Sequence, residues 1–325
     1  MGKWPKIVEA FPLTVTNIVR EYTLLPSDAS GTFYHYTNRA GLEGILRDGG
    51  FRAGHRLGMN DPGEFRYARD LIYEELIRLG KSDILPKVAE SLTTYTRKNL
   101  DTLLQNTTEV SSAYCACFTA SPDDTHQWDT YAANGHGFAI GIDLLQFLRT
   151  QIPAVRQRQP YVFCGPVTYA EEKQRDLVGR LVKAAISDLQ TFASTRTQTP
   201  EQLTALRDRV TQEVVVHIIS LIDFIKAPSY SRERELRLFM DPNDGTFNAP
   251  NLQYYERNNK MIPYIFVDLR NPTTGRLPLA EIMVGPNGPF SEREAYLTQL
   301  LNELWYGEGC ADCPRITRSS NRHGA

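Results

Sequence analysis

The sequence predicts an α+β fold, a single domain built on a mostly antiparallel sheet with helical insertions. Two patterns predict it. Short runs rich in aromatic and β-branched residues recur between turn signals, first at Phe33–Thr37 and again through the last third of the chain. Two long stretches, about 62–110 and 171–225, instead repeat apolar residues at three- and four-residue spacing, the mark of helices with one buried face. With 325 residues, 41% hydrophobic and 23% charged, the chain has ample material for a core and falls among ordinary globular proteins. A net charge of -2 excludes a strongly basic nucleic-acid coat, although a local basic patch is compatible with it.

Taken in order, residues 1–31 show no sustained period and read as a loosely packed lead-in. Phe33–Thr37 reads as a strand, and Leu42, Ile45 and Leu46 as the buried side of a helix that Gly49-Gly50 stops. A Gly-bearing loop then runs to Asn60-Asp61-Pro62, where Asp61 suits a helix cap and Pro62 a first turn. Phe65, Ala68, Ile72, Leu76 and Leu79 mark the buried face of that helix, and 83–105 reads as helical again. Strands are expected at Ala113–Thr119, Gly137–Ile142 and Tyr161–Tyr169, with a helix carrying Trp128 and Tyr131 between the first two. Leu203, Leu206, Val210, Val214, His217, Leu221 and Phe224 define the clearest helix. Strands follow at Glu233–Met240, Tyr264–Leu269 and Glu281–Val284, then a helix near Arg293–Leu304. The domain is thus expected over 32–305, and the polar residues 306–325 as a flexible tail.

Targeting signals are few. Glu9, Pro12 and Asn17 interrupt any secretory core, Lys6 breaks the myristoylation pattern, and no stretch approaches a membrane span. Five scattered cysteines, Cys115, Cys117, Cys164, Cys310 and Cys313, make no disulfide framework and fit a reducing compartment. A cytoplasmic protein without a membrane partner is expected. Cys310 and Cys313 form one CxxC pair without a second pair, and Asp123, Asp124, His126 and His136 lack metal-ligand spacing, so no metal is expected.

Alternation within strands supplies the candidate chemistry. In 233–240, Glu233, Glu235, Arg237 and Phe239 are expected on one face, a row of charge that is costly to bury unless paired. A solvent-facing edge strand neutralised by Arg232 and Arg234 would explain the same pattern. In the first strand His35 and Thr37 point together and Tyr34 and Tyr36 point the other way. A structural histidine bonded to backbone explains His35 without chemistry, and core packing explains Trp128 with Tyr131. Capping likewise explains Asn60-Asp61-Pro62 with Glu64.

Phe33-Tyr34-His35-Tyr36-Thr37, followed by Gly41-Leu42, Ile45-Leu46 and Phe51-Arg52-Ala53, resembles the first motif of ADP-ribosyltransferases, and Arg232-Glu233-Arg234-Glu235-Leu236 resembles their Glu-x-Glu motif. A longer pattern is similar to the bacterial family known as domain of unknown function 2971. It comprises His35-Tyr36-Thr37, Asn60-Asp61-Pro62 with Glu64, Cys117-Phe118-Thr119, Trp128 with Tyr131, Gly137, Lys226 with Tyr230, Glu233, Glu235, Arg237 and Val284-Gly285-Pro286, over about residues 33–287.

The ADP-ribosyltransferase resemblance implies a split sheet around a cleft for NAD, bound as substrate. It implies that His35 holds the adenosine ribose, that Thr37 helps hold the nucleotide, and that Glu235 stabilises the oxocarbenium-like sugar left when nicotinamide departs. Glu233 would orient or deprotonate an acceptor, a protein or a nucleic acid. Tyr36, Phe118 and Tyr131 are candidates for the wall that stacks on nicotinamide. Asn60, Thr119, Trp128 and Arg237 complete the implied cofactor-binding set. One motif departs: Cys117-Phe118-Thr119-Ala120-Ser121 stands where many such enzymes have Ser-Thr-Ser or paired tyrosines. The expected function is an NAD-dependent ADP-ribosyltransferase or NAD glycohydrolase; the alternative is a non-catalytic nucleotide- or protein-binding module on the same scaffold.

Overall fold

A computed structural model describes residues 5–14, 18, 31–55, 62–81, 93–98, 114–143, 162–195, 198–240, 252–257, 259–304, 306 and 313–321. The architecture is α+β, and the chain divides into two compact units. One unit gathers Met1–Leu24, Asn60–Ser111 and Val167–Ser231; the other gathers Leu25–Met59, Ser112–Pro166 and Arg232–Ala325. The two stretches read as helical insertions therefore fall together in the first unit.

That first unit is helical. Its described elements include α1 (Lys6–Glu9), α3 (Pro62–Gly80), α5 (Glu171–Thr195) and α6 (Pro200–Ile222), and residues 93–98 are helical as well. Ile72 and Leu76 of α3, Val178, Leu181 and Val182 of α5, and Leu206, Val210 and Val214 of α6 share one apolar core. Helix α6 starts at a reciprocal cap: Thr199 Oγ1 accepts from Gln202 N–H at 3.3 Å, and the Gln202 side chain accepts from Thr199 N–H at 3.0 Å. Residues 5–14 are not a loose lead-in. Val8 and Leu13 are buried in this core, and Asp188 accepts from both Thr14 N–H (2.9 Å) and Thr14 Oγ1 (2.6 Å). Four apolar side chains in a stretch this short show no period for sequence reading to detect.

Among the described residues the second unit holds a ten-stranded, mostly antiparallel sheet: β1 (Phe33–Thr37), β2 (Gly50–His55), β3 (Tyr114–Thr119), β4 (Phe138–Ile142), β5 (Val162–Pro166), β6 (Glu235–Met240), β7 (Gln253–Arg257), β8 (Lys260–Asp268), β9 (Leu279–Val284) and β10 (Arg315–Arg318). The order is β10-β9-β4-β1-β3-β2-β8-β7, with β6 pairing β3 and β5. Helices α2 (Arg39–Asp48) and α7 (Phe290–Glu303) supply Leu42, Ile45, Leu46, Leu297, Leu300 and Leu301 to the core on one sheet face. On the opposite face a smaller cluster joins Tyr34, Tyr36, Ala139 and Met283 to Trp128 of α4 (Thr125–Tyr131).

Three further expectations change here. The segment read as a Gly-bearing loop contains most of β2, and Gly50, read as part of the helix stop, opens that strand where a Cβ would stand 2.1 Å from the Val267 carbonyl oxygen. The tail read as flexible contains β10, which lies parallel to β9 with Arg315 opposite Glu281 and Arg318 opposite Val284. The strand expected from Glu233 begins only at Glu235. Glu233 ends a 3-10 helix, Pro228–Glu233, and Arg234 takes a left-handed φ of 42° that turns the chain into the strand.

Candidate functional site

The candidate residues are positioned by β3. Its full length pairs with β6 on one edge, from Tyr114 opposite Met240 to Thr119 opposite Glu235. On the other edge it meets β1 through the Tyr34–Thr119 pair, and β2 through Gly54–Cys115 and His55–Tyr114. Strands β1 and β2 therefore fork apart along one edge of β3. Ala120 N–H donates to the Arg234 carbonyl on the β6 side (3.3 Å). Successive residues of an antiparallel strand turn their backbone groups to alternate edges, so the Cys117 carbonyl opens into the fork. The ring of His35 fills that place: Nδ1 donates to the Cys117 carbonyl at 2.9 Å. The ring also packs edge-on to Phe51 (5.1 Å between centroids, 76°) and against Phe118 (5.8 Å). Burial pushes His35 below its ordinary pKa, while the Cys117 carbonyl works in the other direction.

Register decides which candidates meet. Residues paired across antiparallel strands share a face, so the Tyr34–Thr119 and Thr119–Glu235 pairs put Tyr34, Tyr36, Cys117, Thr119, Glu235 and Arg237 on one face. His35, Thr37 and Phe118 lie on the other. The imidazole and the carboxylate that the resemblance implied would look into one crevice are separated by the sheet itself. Thr37 packs closely over α2, where a Cβ at Gly41 would stand 2.0 Å from its Oγ1. Asn60 lies outside the described residues.

On the Glu235 face the polar groups are tied to one another. Arg237 Nε donates to Glu235 Oε1 at 2.8 Å and Nη2 donates to Oε2 at 3.0 Å, a side-on fork in which both side chains are buried, Arg237 to 1% exposure. Burial first, and then the neighbouring Glu235 charge, pushes the Cys117 thiol well above its ordinary pKa, which suppresses the thiolate. Thr119 Oγ1 donates to the Glu233 carbonyl at 2.7 Å and accepts from Ser121 N–H at 3.1 Å. Glu233 is buried, and its backbone closes the turn before β6. Arg234, where the strand expectation placed the opposite face, is exposed.

The aromatic candidates form a second layer on this face. Tyr36 packs edge-on to Trp128, with centroids 4.7 Å apart at 76°. Tyr36 donates to the Ser121 carbonyl and accepts from Asp124 N–H, each at 3.1 Å, and burial raises its pKa. Trp128 is fully buried, and Tyr131 packs half-buried beside the cluster. Sequence reasoning weighed Asp123 only as a metal ligand and did not place Gln127 or Glu281 in the site. Asp123 accepts from Trp128 Nε1 at 2.6 Å, Gln127 Nε2 reaches the Glu233 carbonyl at 3.5 Å, and Glu281 accepts from the Tyr34 hydroxyl. The signal for Tyr34 was present, because strand alternation places it with Tyr36. Nothing local marks Glu281, 247 residues away.

Residues 127–238 match a family model, described as protein of unknown function DUF2971. The DUF2971 match covers about a third of the chain, against the longer span of about 33–287 that the motifs suggested. It takes in Trp128, Tyr131, Glu233, Glu235 and Arg237, and leaves His35, Thr37, Phe118 and Thr119 outside. No curated protein and no solved structure matches the chain. These comparisons give no ADP-ribosyltransferase likeness. Among the described residues no group of three or more His, Cys, Asp or Glu side chains is arranged to hold a metal, and no helix is long and apolar enough to cross a membrane.

Proposed function

We propose that this chain is a binding module, with a nucleotide as the first ligand class to test, and not an enzyme that cuts the nicotinamide–ribose bond. One observation carries the reading: each oxygen of Glu235 accepts a hydrogen bond from the guanidinium of Arg237, within a buried pair. A carboxylate that stabilises an oxocarbenium-like sugar must offer its charge to the sugar, and a bidentate arginine neutralises that charge in advance. The position of His35 across the sheet supports the same reading, since it leaves the acid without the ribose-holding imidazole. A cleft built from the residues implied to surround NAD would have to draw on both faces of the sheet.

A second reading keeps one point in its favour. The fork of β1 and β2 along β3, with Glu235 opening β6 beside Thr119, has the character of the split sheet that the resemblance implied.

The two separate in one experiment. Purified protein is incubated with NAD while free nicotinamide is followed, and binding of NAD, ADP-ribose and ATP is measured by calorimetry. The expected outcome is no nicotinamide above the buffer control, together with saturable binding of at least one nucleotide. Steady nicotinamide release that disappears in a Glu235→Gln variant with unchanged circular dichroism overturns the binding reading in favour of sugar chemistry. If nicotinamide is not released and no nucleotide binds, the nucleotide-binding proposal is overturned.

A further inference from the structure

A cation without a counter-ion sits on the His35 face of the sheet. Phe138 of β4 pairs with Thr37 of β1, so its ring belongs to that face, opposite Glu235. The guanidinium of Arg293, in α7, lies over the ring with Cζ 5.5 Å from its centroid. It also lies against the backbone of Gly288, where a Cβ would overlap Cζ, Nη1 and Nε. Among the described residues this guanidinium makes no hydrogen bond and no ion pair, and its Nη1 is fully buried without an acceptor. Arg237, by contrast, meets both oxygens of Glu235. Glu292 and Glu294 flank Arg293 in sequence, but residues one apart on a helix do not face each other. Burial lowers the pKa of Arg293, with no acceptor to raise it.

The surroundings add donors. Helix α7 starts after Pro289, which provides no side-chain cap, and its first return bond runs from Arg293 N–H to the Pro289 carbonyl at 3.2 Å. The N–H groups of Phe290, Ser291 and Glu292 therefore have no partner inside the helix and stand at its positive end. Helical side chains lean towards the N-terminus, which brings the Arg293 guanidinium back to Gly288 and so beside those groups. The loop ahead of the helix is fixed in place. Gly285 N–H donates to the Gly137 carbonyl and Asn287 N–H to the Gly135 carbonyl, each at 3.0 Å, and Asn287 Nδ2 donates to the Asn134 carbonyl at 2.7 Å.

We propose that Arg293, together with the N–H groups that open α7, binds a phosphate group. A partly buried cation without a counter-ion is destabilising, and a bound anion supplies the missing acceptor. A tetrahedral phosphate has enough oxygens to meet the guanidinium and the helix N–H groups at once, whereas a carboxylate has only a pair. The exposed Glu292 in the first turn opposes the anion and keeps the affinity modest. The site stands whether or not a nucleotide is the ligand of the Glu235 face.

Thermal unfolding of the full chain tests this, in phosphate-free buffer and with sodium phosphate, sodium acetate or sodium chloride added at matched ionic strength. Phosphate is expected to raise Tm saturably, by about 2–4 °C above chloride. Glycerol phosphate in the same series separates an esterified ligand from the free ion, the larger rise naming the source. Arg293→Met keeps an apolar stem against Phe138 and removes the charge. It is expected to lose the phosphate rise and, without phosphate, to melt no lower than the parent chain. Gly288→Ala retains the arginine but fills its place, and the atoms it displaces are the far end of a flexible side chain, so the fold accommodates it. This variant is expected to lose most of the rise as well. The proposal is overturned if phosphate and chloride act alike on the parent chain, if acetate matches phosphate, or if the rise survives undiminished in either variant. It is also overturned if Arg293→Met melts below the parent chain in phosphate-free buffer, since the guanidinium is then a packing group.

Discussion

His35 shows how a residue that resembles a catalytic histidine can be explained by the backbone beside it. Where β1 and β2 part, the Cys117 carbonyl has no strand to meet, and the imidazole supplies a donor that an aliphatic side chain lacks. His35→Ala would leave that carbonyl unsatisfied and open a gap against Phe51 and Phe118, at a cost of about 2–4 kcal/mol in denaturant unfolding. The protonation sign follows from burial. The folded-state pKa lies below the ordinary value of 6.5, so the folded protein binds fewer protons than the unfolded chain. The contribution of His35 is complete above pH 6.5 and declines as pH falls through and below that value. Urea unfolding between pH 8 and 5 is expected to show this decline in the parent chain and a flatter profile in His35→Gln; equal slopes in the two proteins count against it. Local alternation correctly grouped His35 with Thr37, and Tyr34 with Tyr36. It carried no information about the vacant carbonyl, because that vacancy is created by two other strands.

At the scale of elements, β6 was legible in its core and misplaced at its start. Leu236 and Leu238 alternate with Arg237 and Phe239 as a strand requires, but the alternation does not extend back to Glu233, because Arg234 reverses the chain at φ 42°. A single left-handed residue is invisible to a period-two pattern, and arginine is an unusual occupant of it. Arg234→Gly is expected to raise unfolding stability by about 1 kcal/mol as that steric cost is relieved. Arg234→Val, whose branched Cβ fits poorly at positive φ, is expected to lower stability by at least as much. Thermal denaturation measures both, and a destabilised glycine variant would show that the turn is not strained. Of the strands that sequence reading missed, β2 has glycine at both Gly50 and Gly54, β7 carries Gln253, Glu256 and Arg257, and β10 is only four residues long between two arginines. Strands β2 and β10 pair with strands distant in sequence, whereas β7 forms a hairpin with β8, Arg257 opposite Lys260.

At the scale of the molecule, the three- and four-residue apolar spacing found the long helices, and the structure gathers them, with residues 5–14, into one compact unit. Leu181 is fully buried in that unit's core and Leu203 is 39% exposed, although both sit on strongly periodic helices. Leu181→Ala should cost about 2–5 kcal/mol, whereas Leu203→Ala should stay within about 0.5 kcal/mol, as read by chemical denaturation. Similar losses at both positions would contradict the packing described for α5 and α6. By itself the sequence determined the α+β class, most helices and strands, and which side chains share a face within each strand, because these depend on periodicity along a few neighbouring residues. Only the tertiary structure decided that the His35 face and the Glu235 face are opposite sides of the sheet. That relation passes through the register of β1 on β3 and of β3 on β6. A slip of one residue in either pairing would reverse it, and no local pattern in the chain records which register is made.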